Sequence, residues 1–478
     1  MAKDTIVDKN SSNDKQISHD ARTINLMKFN GSENYIYKDC CDYNEVFSIS
    51  NFYDRGLECC KDVRWKRSTT EFELDLFCIV TETLNKIEAN KYRAKPFNNF
   101  VINERGKTRQ ISAQKIVDRM VQKVINQDVM LPIYAVNFVE GNSASMKGKG
   151  KQWAIDVFLA RLYAHYMQYG IEGGILLGDY SNYFGSLPHE ELKRRIRERI
   201  TDPRAVKILC DAITDFRKIA PCHKVEEWGY AGIGLGSEVS QTFALDYATP
   251  LDHYIEDNFD ISGYGRYMDD FYIICSSLET LHELNNILEE MVKEMGVALS
   301  TKKTKIVPFK AHSFTFLKMD YLFTSTGAVL VLPCAKNKKV IRTRLKKFRD
   351  NLDKGIFTIE DVCASYNGWR ANIVNSKNSY KTVYCTDIYF INLFRQELAN
   401  MKHPFKCYIK SFKDKDGKWQ YVTKELKGCK HFSKRQKRQI KEKKKKQEMN
   451  QTDTNKTNKT KKQPHGRFVK YGNDKINN

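Results

Sequence analysis

The sequence contains no run of the roughly 18 apolar residues that a membrane span needs, and its polar N-terminal segment has no apolar core. We therefore predict neither a transmembrane helix nor a signal peptide. The 13 cysteines are odd in number and follow no repeated spacing, which excludes a disulfide framework and is typical of a reducing cytosol. Two doublets, Cys40–Cys41 and Cys59–Cys60, could ligate zinc. Paired zinc ligands are usually separated by two or more residues, so reduced thiols are the simpler interpretation.

The charge of the chain is strongly positive. With 80 Lys and Arg against 58 Asp and Glu, the formal net charge is +22. Such a field favours a polyanionic partner, nucleic acid first and an acidic membrane surface second. A hydrophobic content of 41% is sufficient for a large core, and 478 residues allow about two to four domains. A Lys-rich soluble protein without such a partner is the alternative on charge alone.

Hydrophobic periodicity divides the chain into segments. Helical patterns alternate with short strand patterns as far as about residue 335, including a predicted β-hairpin over 97–113. Residues 336–400 are helical and basic, and residues 405–424 suggest a second hairpin. From Ser433 onward the chain is rich in Lys, Asn and Gln with almost no apolar residues, which predicts a disordered tail.

Two apolar segments adjoin carboxylates. Asp179 follows the strand-like run GILLG, and Asp269-Asp270 lies between RYM and FYIIC. Nucleotide addition requires a 3′ hydroxyl to attack a phosphate in line, and two Mg²⁺ ions about 3.5–4 Å apart stabilise the attacking and leaving oxygens. Mg²⁺ prefers hard oxygen ligands, so a few converging carboxylates suffice. An isolated Asp-Asp pair is more often a solvated turn, but apolar strands on both sides favour a rigid frame for a metal site.

The segment Tyr267-Met268-Asp269-Asp270 resembles the YxDD signature of reverse transcriptases. Five further motifs resemble parts of the same family in the same order. They are the fingers (Lys107–Ile111 with Asp118–Gln122), the first catalytic strand and turn (Asp179–His189), the Gly-rich turn and helix (Gly232–Gln241), the lysine turn (Leu299–Thr304) and the start of the primer grip (Phe314–Leu317). The resemblance covers about residues 45 to 370. It points to the bacterial branch of retron, group II intron and diversity-generating enzymes, and most to stand-alone, prophage-borne or defence-associated reverse transcriptases.

This resemblance implies an α+β right-hand polymerase with fingers, a palm that contains an antiparallel sheet, a helical thumb and a disordered basic C-terminal tail. The expected segments are an N-terminal extension (1–45), fingers and palm (46–335), the thumb (336–400), a small C-terminal extension (401–432) and the tail (433–478). No ribonuclease H, integrase or Cys-rich endonuclease segment is recognisable.

The resemblance also implies a metal-dependent catalytic site. Asp179 and Asp269 are expected to bind two Mg²⁺ ions, with Mn²⁺ as an alternative metal. Asp270 is expected to be a supporting ligand, and the backbone carbonyl of Tyr180 would complete one metal shell.

Basic residues are expected to bind the triphosphate. By resemblance, Lys107 and Arg109 on the fingers hairpin contact the incoming nucleotide, and the planar fork of arginine suits phosphate oxygens. Lys303 would approach the leaving pyrophosphate as a general acid or a counter-charge, with Lys302 and Lys305 as alternatives. A solvated charged hairpin is the alternative interpretation for the first two residues.

Substrate selection is expected to involve Phe184, five residues after the first aspartate. An aromatic side chain at this position of reverse transcriptases blocks a ribose 2′ hydroxyl, so Phe184 implies deoxynucleotide substrates; core packing is the alternative. The triplet Gly234-Leu235-Gly236 replaces the Pro-Gln-Gly of many relatives. It places Leu235 and Gly236 near the nucleotide, with Gln241 as a further contact. An apolar residue in this triplet resembles the diversity-generating enzymes, which copy inaccurately, so low fidelity is one hypothesis; the alternative is that Leu235 packs into the palm and Gln241 makes the contact.

Further residues are expected to hold primer and template. The predicted primer grip is Phe316, Leu317 and Lys318, and the predicted nucleic-acid contacts elsewhere are Lys147, Lys149, Tyr366, Trp369 and Arg370. The tail segment SKRQKRQIKEKKKK carries nine Lys and Arg against one Glu. Loose retention of RNA or DNA by counterion release is its expected role, and a solubilising tail is the alternative.

The leading functional prediction is RNA-templated DNA synthesis from dNTPs, with an RNA template, a primer–template hybrid and a cognate non-coding RNA as partners. The resemblance implies a bacterial, cytoplasmic protein in an antiphage-defence or prophage setting, without a membrane partner. Two alternatives stay open. The same site could make DNA without a conventional template or from a protein primer, or the chain could be an RNA-binding protein with an inactive site. The intact residues Asp179, Asp269 and Asp270 argue against the last alternative, and the oligomeric state does not follow from the sequence.

Overall fold

The computed structural model describes residues 37–104, 107–219, 221–310, 313–324, 326–374 and 378–423. The chain divides into two compact units, one up to Cys334 and one from Ala335 onward. Most of the predicted N-terminal extension and the whole predicted tail therefore lie outside the described residues. Among the described residues, no helix combines the length and the apolar character that a bilayer crossing requires.

The first unit contains thirteen α-helices and eleven strands among its described residues. The helices are α1 (Tyr43–Val46), α2 (Ile49–Cys60), α3 (Arg67–Leu74), α4 (Leu76–Glu88), α5 (Ile116–Ile125), α6 (Leu131–Tyr134), α7 (Lys151–Tyr169), α8 (Tyr183–Ser186), α9 (His189–Arg199), α10 (Pro203–Asp215), α11 (Glu238–Tyr247), α12 (Thr249–Asn258) and α13 (Leu278–Glu294). The strands are β1 (Asn98–Glu104), β2 (Lys107–Ala113), β3 (Gly174–Asp179), β4 (His223–Val225), β5 (Gly229–Ala231), β6 (Gly263–Tyr267), β7 (Asp270–Cys275), β8 (Lys305–Pro308), β9 (Phe314–Phe316), β10 (Met319–Phe323) and β11 (Val329–Pro333).

The centre of this unit is a four-stranded antiparallel sheet in the order β6-β7-β3-β8, called here the central sheet. All six residues of β3 are buried, as expected for a strand that is apolar on both faces. Along β7 the side chains alternate between two cores. Phe271 and Ile273 belong to the larger core, and Tyr272 and Ile274 belong to the smaller one.

Each face of the central sheet is covered by a different layer. The larger core contains Leu281 and Leu288 of α13, whose apolar residues recur at helical spacing. The smaller core is aromatic and is centred on Phe158 of α7, whose ring lies 4.5 Å from the ring of Tyr272 and 4.9 Å from that of Tyr321 on β10. Packing on both faces makes the central sheet a rigid support for residues at the ends of its strands.

The predicted hairpin over 97–113 is present as β1 and β2, which pair from Asn98 with Ala113 to Glu104 with Lys107. Its tip, residues 105–106, lies outside the described residues. The second unit contains α14 (Ala335–Asp353), α15 (Ile359–Val374), α16 (Tyr380–Leu393), α17 (Arg395–Ala399), β12 (Ser411–Lys413) and β13 (Trp419–Tyr421). The predicted second hairpin is confirmed by the pairing of β12 with β13, although its strands are shorter than the pattern over 405–424 suggested. Helices and antiparallel strands together confirm the predicted α+β class.

Candidate active site

The ends of two neighbouring strands bring carboxylates together. Asp179 is the last residue of β3, and its cross-strand partner is Asp270, the first residue of β7. Asp269 lies in the two-residue turn between β6 and β7, and its carbonyl accepts a hydrogen bond from the Tyr180 N–H at 3.1 Å. The first turn residue, Met268, has a φ of 58°, a left-handed conformation that non-glycine residues rarely adopt. Such backbone strain is concentrated at functional sites.

Burial and mutual repulsion alter the acidity of this carboxylate group. Burial, a hydrogen bond with Asp179 and the negative charges of Asp269 and Asp179 raise the pKa of Asp270 to about 7, against a small opposing effect of Lys303. Burial also raises the pKa of Asp269, and the repulsion by Asp179 adds to it, although the Asp269 N–H, Lys303 and Arg109 lower it. Without a cation, the site therefore favours a proton among its carboxylates.

Lys303, in the lysine turn, reaches these carboxylates, and its predicted approach to the leaving pyrophosphate stays a prediction. Its ammonium donates a hydrogen bond to Asp179 Oδ1, and its own backbone N–H donates to the Ser300 carbonyl at 3.0 Å. Burial lowers the pKa of Lys303, but the hydrogen bond to Asp179 and the attraction of Asp179, Asp270 and Asp269 outweigh burial and raise it overall. Lys303 therefore supplies a positive charge to the carboxylates in this arrangement.

The donor set fits a divalent cation in chemistry, but its present geometry is not that of a formed metal site. Three carboxylates lie together at one end of the two middle strands of the central sheet, and carboxylate oxygens are the ligands that Mg²⁺ prefers. Within the described ranges, no group of three or more His, Cys, Asp or Glu side chains is arranged to hold an ion. The ammonium of Lys303 lies on Asp179, so a metal at Asp179 would have to displace it.

Phe184, which follows Asp179 by five residues, lies beside the Gly-rich turn. The Phe184 carbonyl accepts a hydrogen bond from the Ile233 N–H at 2.7 Å, and the Phe184 ring meets the Tyr183 ring edge-on with 6.3 Å between centroids. The Phe184 side chain is half-buried against the larger core. Packing therefore holds part of the ring, and its role in substrate selection stays a prediction.

The Gly-rich turn packs against strand β2. The Leu235 carbonyl accepts a hydrogen bond from the Ser112 N–H at 3.1 Å. Gly236 has a φ of 113°, and a Cβ atom there would lie 3.3 Å from the Ile111 side chain, so this position favours glycine. Gln241, on the exposed side of α11, accepts a hydrogen bond from the Ser145 hydroxyl at 2.6 Å. The turn thus connects the β1–β2 hairpin to the helix that follows.

Arg109 is the residue of the β1–β2 hairpin that influences the carboxylates, since its charge lowers the pKa of Asp269. It lies on β2 opposite Ile102. The backbone of Lys107 lies at the start of β2, and its side chain is outside the described structure. The roles of both residues in triphosphate binding stay predictions.

Two predicted contacts to nucleic acid near this site differ from each other. The Lys149 ammonium donates hydrogen bonds to the carbonyls of Glu140 and Asn142 at 3.2 Å each, and lies 4.6 Å from the Trp153 ring. Burial lowers the pKa of Lys149. Lys149 thus stabilises the loop before α7, and its contact with the template stays a prediction. Lys147 is exposed and stays a candidate.

The three residues of the predicted primer grip also differ in how far they are buried. Phe316 is buried in the smaller core, so its side chain packs against the central sheet. Leu317 and Lys318 form the two-residue turn between β9 and β10, with φ angles of 46° and 67°. Two positive φ angles in succession are typical of a tight hairpin turn. The candidate for contact with a primer is thus this turn, and Phe316 supports it.

In the second unit, two of the predicted nucleic-acid contacts on α15 bond a buried aspartate, Asp387. Tyr366 is fully buried and donates a hydrogen bond to Asp387 at 2.8 Å. Arg370 forms an ion pair with the same carboxylate at 2.9 Å, and Trp369 donates its indole N–H to Asn337. These three residues hold α14, α15 and α16 together. Tyr366 is inaccessible to nucleic acid, so its predicted contact is wrong, whereas Trp369 and Arg370 are half-buried and stay candidates.

Comparison with known proteins identifies the class of this domain. Residues 95–320 match the reverse transcriptase (RNA-dependent DNA polymerase) family. The central sheet and its carboxylates thus belong to a nucleotidyltransferase domain, and more narrowly to a reverse transcriptase domain, the domain of an RNA-directed DNA polymerase. The predicted resemblance to reverse transcriptases is confirmed at this level; the bacterial branch stays a prediction. No curated protein is significantly similar to the chain.

Solved structures that match the chain include two yeast telomerases. The telomerase of Candida albicans, in complex with a TWJ fragment of telomeric RNA, has 11% identity and a TM-score of 0.37 over 66% of this chain and 62% of that chain. The apo telomerase of Candida tropicalis has 14% identity and a TM-score of 0.35 over 53% of this chain and 52% of that chain. The chain therefore spans less than two thirds of the length of either telomerase.

The acidity of Asp270 gives a testable pH dependence. A folded-state pKa near 7 lies above the ordinary carboxyl value of about 4, so the metal-free protein loses stability as the pH rises from about 4 to 7. Asp270→Asn removes this penalty. We expect its Tm without metal to exceed that of the wild type by several degrees at pH 8 and to equal it near pH 4. Thermal unfolding in EDTA across this range measures the difference, and a difference that does not change with pH would contradict the assignment.

Proposed function

We propose that the whole chain is an RNA-directed DNA polymerase that adds deoxynucleotides by a two-metal mechanism. The single observation that carries this proposal is the position of three carboxylates within a reverse transcriptase domain. Asp179 and Asp270 face each other across two strands, and Asp269 occupies the adjoining turn. Two divalent cations, when bound, would lower the pKa of the attacking 3′ hydroxyl and neutralise charge on the leaving pyrophosphate.

Each residue of the site has a separate task in this proposal. Asp179 and Asp269 would hold both cations, with Asp270 and the Tyr180 carbonyl in support. Lys303, which forms an ion pair with Asp179, would turn to the leaving pyrophosphate, and its exposed side chain has room to do so. A protonated ammonium at this point can neutralise or protonate the leaving oxygen.

Contact with nucleic acid is proposed for the basic side chains of α14. Six of them have no carboxylate partner among the described residues: Lys336, Lys338, Lys339, Arg344, Lys346 and Lys347. Lysine and arginine side chains in such numbers suit the phosphates of a primer–template hybrid, which position a duplex without reading its sequence. The further proposals are a cognate non-coding RNA as the natural template and a bacterial cytoplasmic setting in antiphage defence or a prophage.

Primer extension on a defined RNA template tests the proposal. We expect dNTP addition complementary to the RNA, dependent on Mg²⁺ and abolished by EDTA. Addition that ignores the template, or that starts on the protein itself, would favour the alternative modes of synthesis. RNA binding without any addition would favour a non-catalytic role and reject the proposal.

The basic tail gives a separate prediction about RNA affinity. Deleting residues 433–478 should weaken RNA binding in every sequence context and reduce its log–log salt slope by roughly 0.7–0.9 for each lost phosphate contact. Deleting only residues 447–478 is the matched control, because it keeps the charge run Lys434 to Lys446. Binding titrations at several salt concentrations measure both slopes. Equal slopes for the full-length chain and the longer deletion would mean that the tail does not contact RNA.

A further inference from the structure

Arg266 lies one residue before the segment Tyr267–Asp270 and is 1% exposed. Its guanidinium forms an ion pair with Asp252 of α12, whose side chain is also fully buried. Two hydrogen bonds of 2.8 and 3.0 Å join the Arg266 Nε to the two oxygens of Asp252. The Tyr264 hydroxyl donates to the same carboxylate. Asp252 thus holds the guanidinium in one orientation.

The remaining donors of Arg266 reach two other elements. Nη1 donates to the carbonyl of Met268 at 3.3 Å, and Nη2 donates to the carbonyl of Leu245 at the end of α11 at 2.9 Å. The backbone of Arg266 also pairs with the loop before α7, donating to Gly141 and accepting from Ser143. One side chain therefore connects the catalytic turn to α11 and α12.

We infer that Arg266, oriented by Asp252, is a positioning residue for the catalytic turn. The inference rests on the proposed polymerase function and extends it to residues that do not touch substrate. Met268 has a left-handed φ of 58°, and such a conformation persists only where the surroundings hold it. Its carbonyl is held by Arg266, and the next two residues are Asp269 and Asp270. A shift of this carbonyl would move both carboxylates away from Asp179.

The energetics of the Arg266–Asp252 ion pair favour a role in orienting the catalytic turn over a role in stabilising the fold. A buried ion pair contributes little net stability, because the desolvation of both groups offsets their attraction. Its contribution here is directional, since the planar guanidinium holds several acceptors in a fixed geometry. Lysine in place of Arg266 keeps the charge, but its donors all lie on one nitrogen and cannot reproduce the planar fork that spans Asp252, Leu245 and Met268.

Two conservative variants test the inference against a matched control. Asp252→Asn and Arg266→Lys should lower the kcat of single-nucleotide addition by roughly 10–100-fold, as expected for misplaced catalytic groups. The KM for the dNTP and the affinity for RNA should change by no more than about twofold. The control is Asp246→Asn, which alters an equally buried aspartate that pairs with Arg195 and Arg199. It should lower Tm by a similar amount and leave kcat within about twofold.

A second set of measurements keeps the inference testable if the single variants fold poorly. The triple variant Tyr264→Phe, Asp252→Leu, Arg266→Met replaces the buried polar group with apolar side chains of similar size, a change that proteins often tolerate. It should fold and still show the loss of kcat. Hydrogen exchange of a peptide spanning 263–275 should be faster in Arg266→Lys than in Asp246→Asn, whether or not DNA synthesis is observed.

The outcomes distinguish a failure of the polymerase function from a failure of the positioning role of Arg266. An inactive wild type with normal RNA binding would reject the polymerase function, and the exchange rates would still decide whether Arg266 holds the turn. An unchanged kcat in Arg266→Lys, or an equal loss of kcat in Asp246→Asn at the same fall in Tm, would overturn the positioning role.

Discussion

Replacing both Asp269 and Asp270 with alanine is expected to reduce nucleotide incorporation by roughly 1,000-fold or more, because the transition state would lose the charges that hold its cations. The fold should remain intact. Burial and repulsion raise the pKa values of both carboxyls, so removing them relieves an unfavourable interaction in the metal-free protein. Its Tm in EDTA at pH 8 should therefore be no lower than that of the wild type, and its RNA affinity should be unchanged.

The control for this variant removes two neighbouring acidic residues elsewhere in the same unit. Glu289 and Glu290 are exposed on α13, so Glu289→Ala with Glu290→Ala removes the same formal charge without touching the site. Incorporation by this control should match that of the wild type. Substantial incorporation by the variant at Asp269 and Asp270 would contradict the site assignment.

Phe184→Ala is expected to raise the preference for ribonucleotides relative to deoxynucleotides by roughly 10–100-fold in kcat/KM, the range that a change in pocket size provides. The half-buried ring meets the Tyr183 ring edge-on, and the Phe184 backbone carbonyl is bonded by the Ile233 N–H, so residue 184 is fixed beside the Gly-rich turn. Removing the ring is expected to open space for a 2′ hydroxyl. Incorporation assays with each nucleotide type on one RNA template give the ratio directly.

Phe184→Tyr is the matched control, because it keeps the ring and its packing against the larger core. Its ribonucleotide preference should stay close to that of the wild type. If Phe184→Ala lowers Tm but leaves the ratio unchanged, Phe184 is a packing residue and the argument for deoxynucleotide substrates loses its main support.

The strands and the position of the carboxylates at their ends were predictable, because the apolar runs and the aspartates beside them are local features of the sequence. β3 and β7 are short apolar runs bounded by glycine, aspartate and serine, a pattern that predicts strands buried on both faces. The hairpin of β1 and β2 was predicted as well, but its residues do not alternate in burial, since the consecutive residues Phe100, Val101 and Ile102 are all exposed. Asp179 ends an apolar strand and carries a carboxylate, so the strand pattern and the residue type both predict a functional position there.

The side-chain partners could not be predicted, since they depend on residues distant in sequence. Tyr366 and Arg370 were predicted to contact nucleic acid, but they bond Asp387, which lies 21 and 17 residues further along the chain. Arg266 appears in the sequence only as a charged neighbour of the catalytic turn. The sequence signal that was available is its position in a strand that is otherwise apolar, where a charged group requires a buried partner.

The most direct measurement of the central claim is single-nucleotide addition to one primer on RNA templates that differ only in the next base. We expect each template to select its complementary dNTP, addition to require Mg²⁺, and Asp269→Ala with Asp270→Ala to reduce addition by roughly 1,000-fold or more. Addition of the same nucleotide on every template, or addition of similar extent by the double variant, would contradict this claim.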